Sequence, residues 1–174
     1  MLLSKKYIGK QVISVDEGRI VGEVKDFYID RDLNSVTGLY FGSEGLIKRK
    51  ALLLKHEHIM LFGVDVIFID NAGAVTDGDT VEGIDNWMRR DDLIGRAIIS
   101  ETSEAKIGKV DDIFFDETGK LLGLGLSNIE VKGPIAENRA ISRAVIKQTG
   151  DKDNPMVIDL FKAEQQHWFF EERA

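Results

Sequence analysis

The stretch IVGEVKDFYID, at residues 20–30, returns further along the chain as KIGKVDDIFFD, at residues 106–116. The two copies lie 86 residues apart (116 − 30 = 86), and the phrase contains neither histidine nor cysteine. The residues that repeat at this offset are Gly9, Gly22, Asp26 and Asp30 in the first copy and Gly95, Gly108, Asp112 and Asp116 in the second. A structural duplication explains such a phrase better than a catalytic motif does.

Each copy has the pattern of an all-β unit. Short segments rich in Val, Ile, Phe and Tyr alternate with turn sequences such as DEG at residues 16–18. The apolar residues change parity at Asp26 and at Asp112, which predicts either a β-bulge at each aspartate or a strand that is buried on both faces. Gly22 and Gly108 are expected where the backbone has a positive φ or passes close to a neighbouring strand.

The duplication also predicts how the chain is divided. The two copies occupy residues 1–70 and 87–159, and each has the size of a small domain. Residues 71–86 are rich in glycine and turn formers, which predicts a linker that ends in a brief helical or irregular piece. Residues 160–174 contain good helix formers and neither glycine nor proline, which predicts a helical tail.

Composition narrows the class of protein. The 174 residues are 43% hydrophobic and 30% charged, as in soluble globular proteins, and the net charge of −7 argues against direct binding of nucleic acid. The longest apolar run, at residues 59–69, is far shorter than the roughly 20 residues that span a bilayer. With no secretory signal pattern at the start, we expect a cytoplasmic protein without a membrane span. The absence of cysteine excludes disulfides and thiolate metal sites.

The repeated pattern resembles the PRC-barrel family. The family pattern reads G-K-x-V, then I-V-G-x-V-x-D-F-x-I-D, then V-x-G-L. The matching residues are Gly9, Lys10, Val12, 20–30, Val36, Gly38 and Leu39 in the first copy, and Ile94, Gly95, Arg96, 107–116, Gly123 and Leu124 in the second. The resemblance covers most of the chain apart from the linker and the tail. It implies a mainly β fold, with two small, strongly bent PRC-type β-barrels in tandem, a short linker and a C-terminal helix.

The resemblance also implies a role in interaction or assembly. The same domain occurs in the cytoplasmic part of the photosynthetic reaction centre H subunit and in the C-terminal half of the ribosome maturation factor RimM. We therefore expect a non-enzymatic protein–protein interaction module without catalytic residues or cofactors, whose partner is an unidentified protein or a second copy of the chain. The alternatives are a ribosome-assembly factor of the RimM type and a small-ligand or metal-binding protein that uses a cleft between the barrels.

Few residues suggest site chemistry. His56 and His58 would share one face of an extended segment and could share a metal, but a tetrahedral site needs three or four protein ligands and only His167 remains. We therefore predict an exposed polar edge at His56 and His58, and no metal site. Asp26 and Asp112 are interpreted as carboxylates that bond to local backbone amides, and not as a paired acid site.

Two features form the candidate interaction surface. Lys48, Arg49 and Lys50 are the densest basic cluster, which suits either an acidic partner or a solvated edge that deters strand pairing. The other feature is the aromatic run Trp168, Phe169 and Phe170. Neighbouring residues on a helix point about 100° apart, so at least one of these rings needs a second surface, on the same chain, on a partner or on a second protomer. The apolar run at residues 58–69 predicts a hairpin whose edge strand could bind a partner by β-addition.

Overall fold

A computed structural model describes residues 1–166 of the chain. The expected mainly β class and the C-terminal helix are both confirmed. The strands before residue 70 are β1 (Leu2–Leu3), β2 (Gln11–Ser14), β3 (Arg19–Glu23), β4 (Asp26–Asp30), β5 (Val36–Glu44), β6 (Lys50–Lys55), β7 (Ile59–Phe62) and β8 (Val66–Ile69). The later strands are β9 (Thr76–Asp77), β10 (Trp87–Arg89), β11 (Ala97–Ser100), β12 (Lys106–Phe115), β13 (Leu121–Ser127), β14 (Ala140–Ser142), β15 (Ile146–Gln148) and β16 (Met156–Ile158). The helices are α1 (Arg90–Leu93), α2 (Pro134–Asn138) and α3 (Leu160–Gln165).

The strands form three sheets, and the two copies have corresponding topologies. In the first copy the sheets run β10-β4-β5-β6-β9 and β3-β2-β8-β7, and in the second one sheet runs β14-β13-β12-β11-β16-β15 with β1 added to β12. In both copies the last strand returns to pair in parallel with an early one, β8 with β2 and β16 with β11. The remaining pairs are antiparallel.

The irregularities predicted at the two aspartates take different forms. The register of β12 shifts between Val110 and Asp112, so the predicted bulge is confirmed there. In the first copy the strand is interrupted instead, because β3 ends at Glu23 and β4 begins at Asp26. Gly108 marks a close approach, since a Cβ on this residue would lie 2.8 Å from the Ser127 carbonyl oxygen.

Each copy contributes its first strand to the sheet of the other copy. Strand β1 pairs with β12 in the register Leu2 to Phe115, and strand β10 pairs with β4 in the register Met88 to Ile29. These pairs correspond at the repeat offset, because 88 − 2 and 115 − 29 both equal 86. We call this reciprocal arrangement the strand exchange. It relates the copies by an approximate two-fold axis.

A second contact lies on the same axis. Ser35 and Lys120, which occupy corresponding turns, form an isolated antiparallel bridge. The Val36 amide donates to the Gly119 carbonyl oxygen at 2.7 Å, and the Leu121 amide donates to the Asn34 carbonyl oxygen at 2.8 Å. The turn of each copy thus bonds to the turn of the other.

One hydrophobic core runs through both copies. Phe115 of the second copy packs against Phe27 and Phe62 of the first, with ring centroids 5.5 and 5.3 Å apart. Edge and tilted contacts at these distances are the favourable aromatic geometries. Because the strand exchange and this core both join the copies, we expect them to unfold together.

The segment between the copies packs on the first copy. Within residues 71–86, β9 pairs with β6, and Val81 is buried against Tyr28 and Leu53. After β16 the chain enters α3, where the Asp159 carboxylate accepts the Lys162 amide at 3.0 Å and so caps the helix.

Candidate interaction surfaces

The repeated aspartates Asp26 and Asp112 anchor the strand exchange. Both side chains are buried, and each accepts a backbone amide from the segment that the other copy contributes: Asp26 from Asp91 at 3.2 Å and Asp112 from Lys5 at 3.1 Å. These donors correspond at the repeat offset (91 − 5 = 86). The expected bonds to backbone amides are therefore present, but only one of them, from the Ile113 amide to Asp112 at 2.8 Å, is local.

Each buried carboxylate also has an arginine partner. Arg89 Nε lies 2.8 Å from Asp26 Oδ2, and Arg90 Nη2 lies 3.4 Å from Asp112 Oδ1. Ser4 completes the second cluster, because its hydroxyl donates to Asp112 and accepts from Arg90 Nε. Buried charges need such compensation, since a carboxylate left without partners in the core is strongly destabilising. The two aspartates thus hold the copies together and face no open site as a pair.

The other repeated residues stabilise turns. Asp30 accepts the Asn34 and Ser35 amides, and Asp116 accepts the Thr118 and Lys120 amides. Burial opposes ionisation of Asp116, but the hydrogen bonds from Thr118 and Lys120 outweigh it and hold its pKa below the ordinary value. Gly9 and Gly95 have φ of 84° and 85°, a conformation that favours glycine. Their amides donate to the corresponding carbonyl oxygens of Val24 and Val110, each at 2.8 Å.

The two histidines do not form a shared site. The stretch His56–His58 is a 3-10 turn and not an extended segment, because the chain reverses here between β6 and β7. Both histidines are half-buried, so the predicted exposed edge is wrong. His58 Nδ1 bonds to Asp70 Oδ2 at 2.9 Å, and this bond is the main cause of the lowered pKa of Asp70. His56 packs instead beside Phe62 and against Gly119 of the other copy, where burial lowers its pKa. Within residues 1–166, no three side chains converge as metal ligands.

A polar groove lies between the two copies. Its cavity of about 650 Å³ is lined by Asp32 and Asn34 of the first copy and by Arg143, Lys147 and Asp151 of the second. The guanidinium of Arg143 donates to the Leu33 and Asp32 carbonyl oxygens, each at 2.7 Å, so it is already engaged in holding the copies together. Neither His56 nor His58 lines this groove.

The tip of the β5–β6 hairpin exposes apolar and basic side chains together. Leu46 and Ile47 are fully exposed. The basic cluster Lys48, Arg49 and Lys50 follows them directly, with Lys48 Nζ 3.2 Å from Asp79 and Lys50 Nζ 2.7 Å from Asp77. The hydrogen bond with Asp77 raises the pKa of Lys50. The basic residues stand out in the sequence, whereas the exposure of the two aliphatic residues beside them is signalled only by their position between two predicted strands.

Strand β7 is a second exposed apolar feature. It lies at the end of its sheet and presents Met60 and Leu61 to solvent, with the nearby Val64 exposed in the turn to β8. The hairpin predicted at residues 58–69 is therefore confirmed. An edge strand with apolar side chains has the backbone groups available for β-addition.

The aromatic residues Trp168, Phe169 and Phe170 lie outside the described residues. No helix within residues 1–166 has the length and apolar character needed to cross a membrane.

Comparison with known proteins identifies the domain type in both halves of the chain. The family model of the PRC-barrel domain matches residues 1–75 and again residues 85–163. No curated protein matches the chain. The two matches coincide with the copies that the strand exchange joins, and together they span most of the sequence. The chain therefore belongs to the PRC-barrel domain family, of which it carries two copies in tandem.

Proposed function

We propose that this protein is a non-enzymatic, cytoplasmic adaptor that binds a partner protein at the tip of the β5–β6 hairpin. The observation that carries the proposal is the full exposure of the adjacent residues Leu46 and Ile47. Large apolar side chains that are exposed together and bordered by polar residues are typical of interaction sites. Membership of the PRC-barrel family supports a general role in interaction or assembly.

The charges around the tip define the chemistry of the partner. Lys48 and Lys50 pair with acidic residues of the segment beside β6, which keeps both cations next to the aliphatic pair. The chain as a whole has a net charge of −7, so this basic tip stands out from an acidic protein. A partner with an apolar pocket and an acidic rim would complement it, because complementary charges speed association and fix the orientation of binding.

A pull-down from native cell extract tests the proposal. The intact chain is compared with Leu46→Ser/Ile47→Ser, and Met60→Ser/Leu61→Ser serves as the matched control that removes exposed apolar area elsewhere. We expect the tip variant to lose its specific partner by at least about tenfold, because burying one such side chain contributes about 1.5–3 kcal/mol and 1.4 kcal/mol is tenfold in affinity. Its circular dichroism spectrum should not change, because fully exposed side chains make few packing contacts and their replacement leaves the fold intact.

Each outcome has a distinct meaning. Capture that is unchanged in the tip variant contradicts the proposed site, and equal losses in both variants indicate nonspecific apolar adhesion. Sedimentation of the captured material on a sucrose gradient addresses the ribosome-assembly alternative. Migration with a ribosomal subunit precursor favours that alternative, whereas migration with free protein counts against it.

A further inference from the structure

The approximate two-fold axis relates one sheet face of the first copy to a corresponding face of the second, and the two faces differ in what covers them. In the first copy, the chain that leaves β8 turns back and β9 pairs with the outer edge of β6. Val81 and Ile84 then pack on Tyr28, Tyr40, Leu53 and Trp87 and cover the face of the sheet. The guanidinium of Arg89 stacks on Tyr40, 3.8 Å from the ring centre, and completes the filling.

The corresponding face of the second copy contains a cavity. It measures about 430 Å³, and its apolar wall includes Leu3, Phe114, Gly125 and Leu126. The charged residues Lys5, Asp111, Asp112 and Arg139 line the rest, beside Met1 and Asn138. The strand registers identify the counterpart of each filling residue. Gly125 lies opposite Asp112 as Tyr40 lies opposite Asp26, and Ala140 lies opposite Gly125 as Leu53 lies opposite Tyr40.

This face of the second copy therefore has smaller residues, at Gly125 in the cavity wall and at Ala140 opposite it. Gly125 stands where the first copy has Tyr40, and Ala140 stands where it has Leu53. At the repeat offset, Leu3 replaces Arg89 (89 − 3 = 86). Strand β14, the counterpart of β6, is the last strand of its sheet within the described residues, whereas β6 is covered by β9.

The C-terminal tail is the segment that follows the second copy at the corresponding point of the sequence. Val81 comes 12 residues after the end of β8 at Ile69, and the same count from Ile158, the end of β16, reaches Phe170. Helix α3 packs against α2, whose last residue, Asn138, lines the cavity. The tail follows α3, which contacts α2, and its sequence contains three adjacent aromatic residues, whereas the cavity wall has Gly125.

We propose that Trp168, Phe169 and Phe170 occupy this cavity in their own chain and cover the edge of β14. The tail then covers this face of the second copy as residues 71–86 cover the corresponding face of the first. This inference goes beyond the proposed adaptor role, because it concerns a different face and does not depend on the hairpin tip. The binding site takes an aromatic peptide segment, in which at least two rings are buried.

The fluorescence of Trp168 in the full chain tests the proposal. Trp87 and Trp168 are the two tryptophans of the chain, so Trp87→Phe leaves Trp168 as the reporter. We expect a blue-shifted emission maximum and protection from iodide quenching. Gly125→Tyr, in the cavity wall, and separately Ala140→Leu, opposite Gly125 on the neighbouring strand, introduce the residues of the first copy at this face. Each should shift the emission to the red and increase quenching several-fold. Lys132→Tyr, at an exposed position of the same copy, is the matched control and should change neither.

Three outcomes would overturn the proposal. The first is solvent-like emission of Trp168 in the intact chain, and the second is unchanged protection in both Gly125→Tyr and Ala140→Leu while their circular dichroism remains native. The third is protection that disappears on dilution, which would assign the site to the tail of a second copy. If Trp87→Phe does not fold, 5-fluorotryptophan in the unaltered chain gives separate ¹⁹F resonances, and the downstream one is assigned by its loss in Trp168→Phe. Line broadening of that resonance by a soluble paramagnetic agent then reports the solvent exposure of Trp168 in place of iodide quenching. The same two variants, Gly125→Tyr and Ala140→Leu, are compared.

Discussion

Replacing Asp112 with alanine tests whether this carboxylate holds the strand exchange together. Asp112 is 1% exposed and accepts hydrogen bonds from the Lys5 and Ile113 amides, the Ser4 hydroxyl and Arg90. Its removal leaves the arginine, which is only 8% exposed, without its buried counter-charge. Removing one partner of a buried ion pair costs about 3–5 kcal/mol, so we expect a loss of that size in the free energy of unfolding.

The neighbouring residue supplies the control. Asp111 pairs with Lys5 Nζ at 3.7 Å, but both side chains are about half exposed. An exposed pair contributes about 0.2–1 kcal/mol, so Asp111→Ala should cost no more than that. The two variants remove the same group from adjacent positions, and their difference isolates the effect of burial.

Urea denaturation followed by circular dichroism and tryptophan fluorescence measures both variants. For a chain of this length, about 1 kcal/mol shifts Tm by roughly 2–4 °C, so Asp112→Ala should lower Tm by roughly 6–20 °C. A cost below about 1 kcal/mol, or equal costs for both variants, would refute the view that the buried carboxylate anchors the exchange. A double-mutant cycle with Arg90→Met would then show whether the two side chains are coupled at all.

Three further predictions concern single contacts. Gly38→Ala should cost about 1–3 kcal/mol in urea denaturation, because its Cβ would collide with the Leu54 carbonyl oxygen, whereas Gly73→Ala meets only the Asn71 side-chain oxygen at 3.3 Å and should be nearly neutral. Burial lowers the pKa of His56 below its ordinary 6.5, so near that pH the unfolded chain binds more protons than the folded chain. The free energy of unfolding should therefore fall as the pH falls below about 6.5, and His56→Gln should reduce this pH dependence between pH 7.5 and 5.5. Arg143→Ala should lower the free energy of unfolding by about 1.5–3 kcal/mol, because its charged hydrogen bonds join the copies, and an equal loss in Arg143→Lys would show that the fork geometry is required.

The repeat offset predicted which residues correspond but not how the copies connect. Gly9 and Gly95 have nearly the same φ, and Asp30 and Asp116 stabilise corresponding turns of the two copies, as the duplication predicts. The exchange of first strands could not be predicted in this way. A strand makes the same hydrogen bonds whether it joins its own copy or the other, so local sequence does not distinguish the two arrangements.

The surface was less predictable than the fold. His56 and His58 would share one face only in an extended segment, but the reversal of the chain between β6 and β7 places them in a 3-10 turn. Leu46 and Ile47 are residue types that usually lie in the core, but here both are fully exposed. Only their position between two strands indicates this exposure. Exposure depends on which segments fold back over a position, and those contacts are distant in sequence.

The strand exchange has a consequence for biosynthesis. Strand β1 is translated before its pairing strand β12, because Phe115 follows Leu2 by 113 residues (115 − 2 = 113). At about 5–20 residues per second, β1 waits roughly 6–23 s for that strand to be translated. Strand β4 likewise waits for residues 87–89. We therefore expect neither copy to reach its native state during translation before the other has been made. A chain stalled midway would present the unpaired edge of β4 and the unpaired strand β1 to the cell's chaperones.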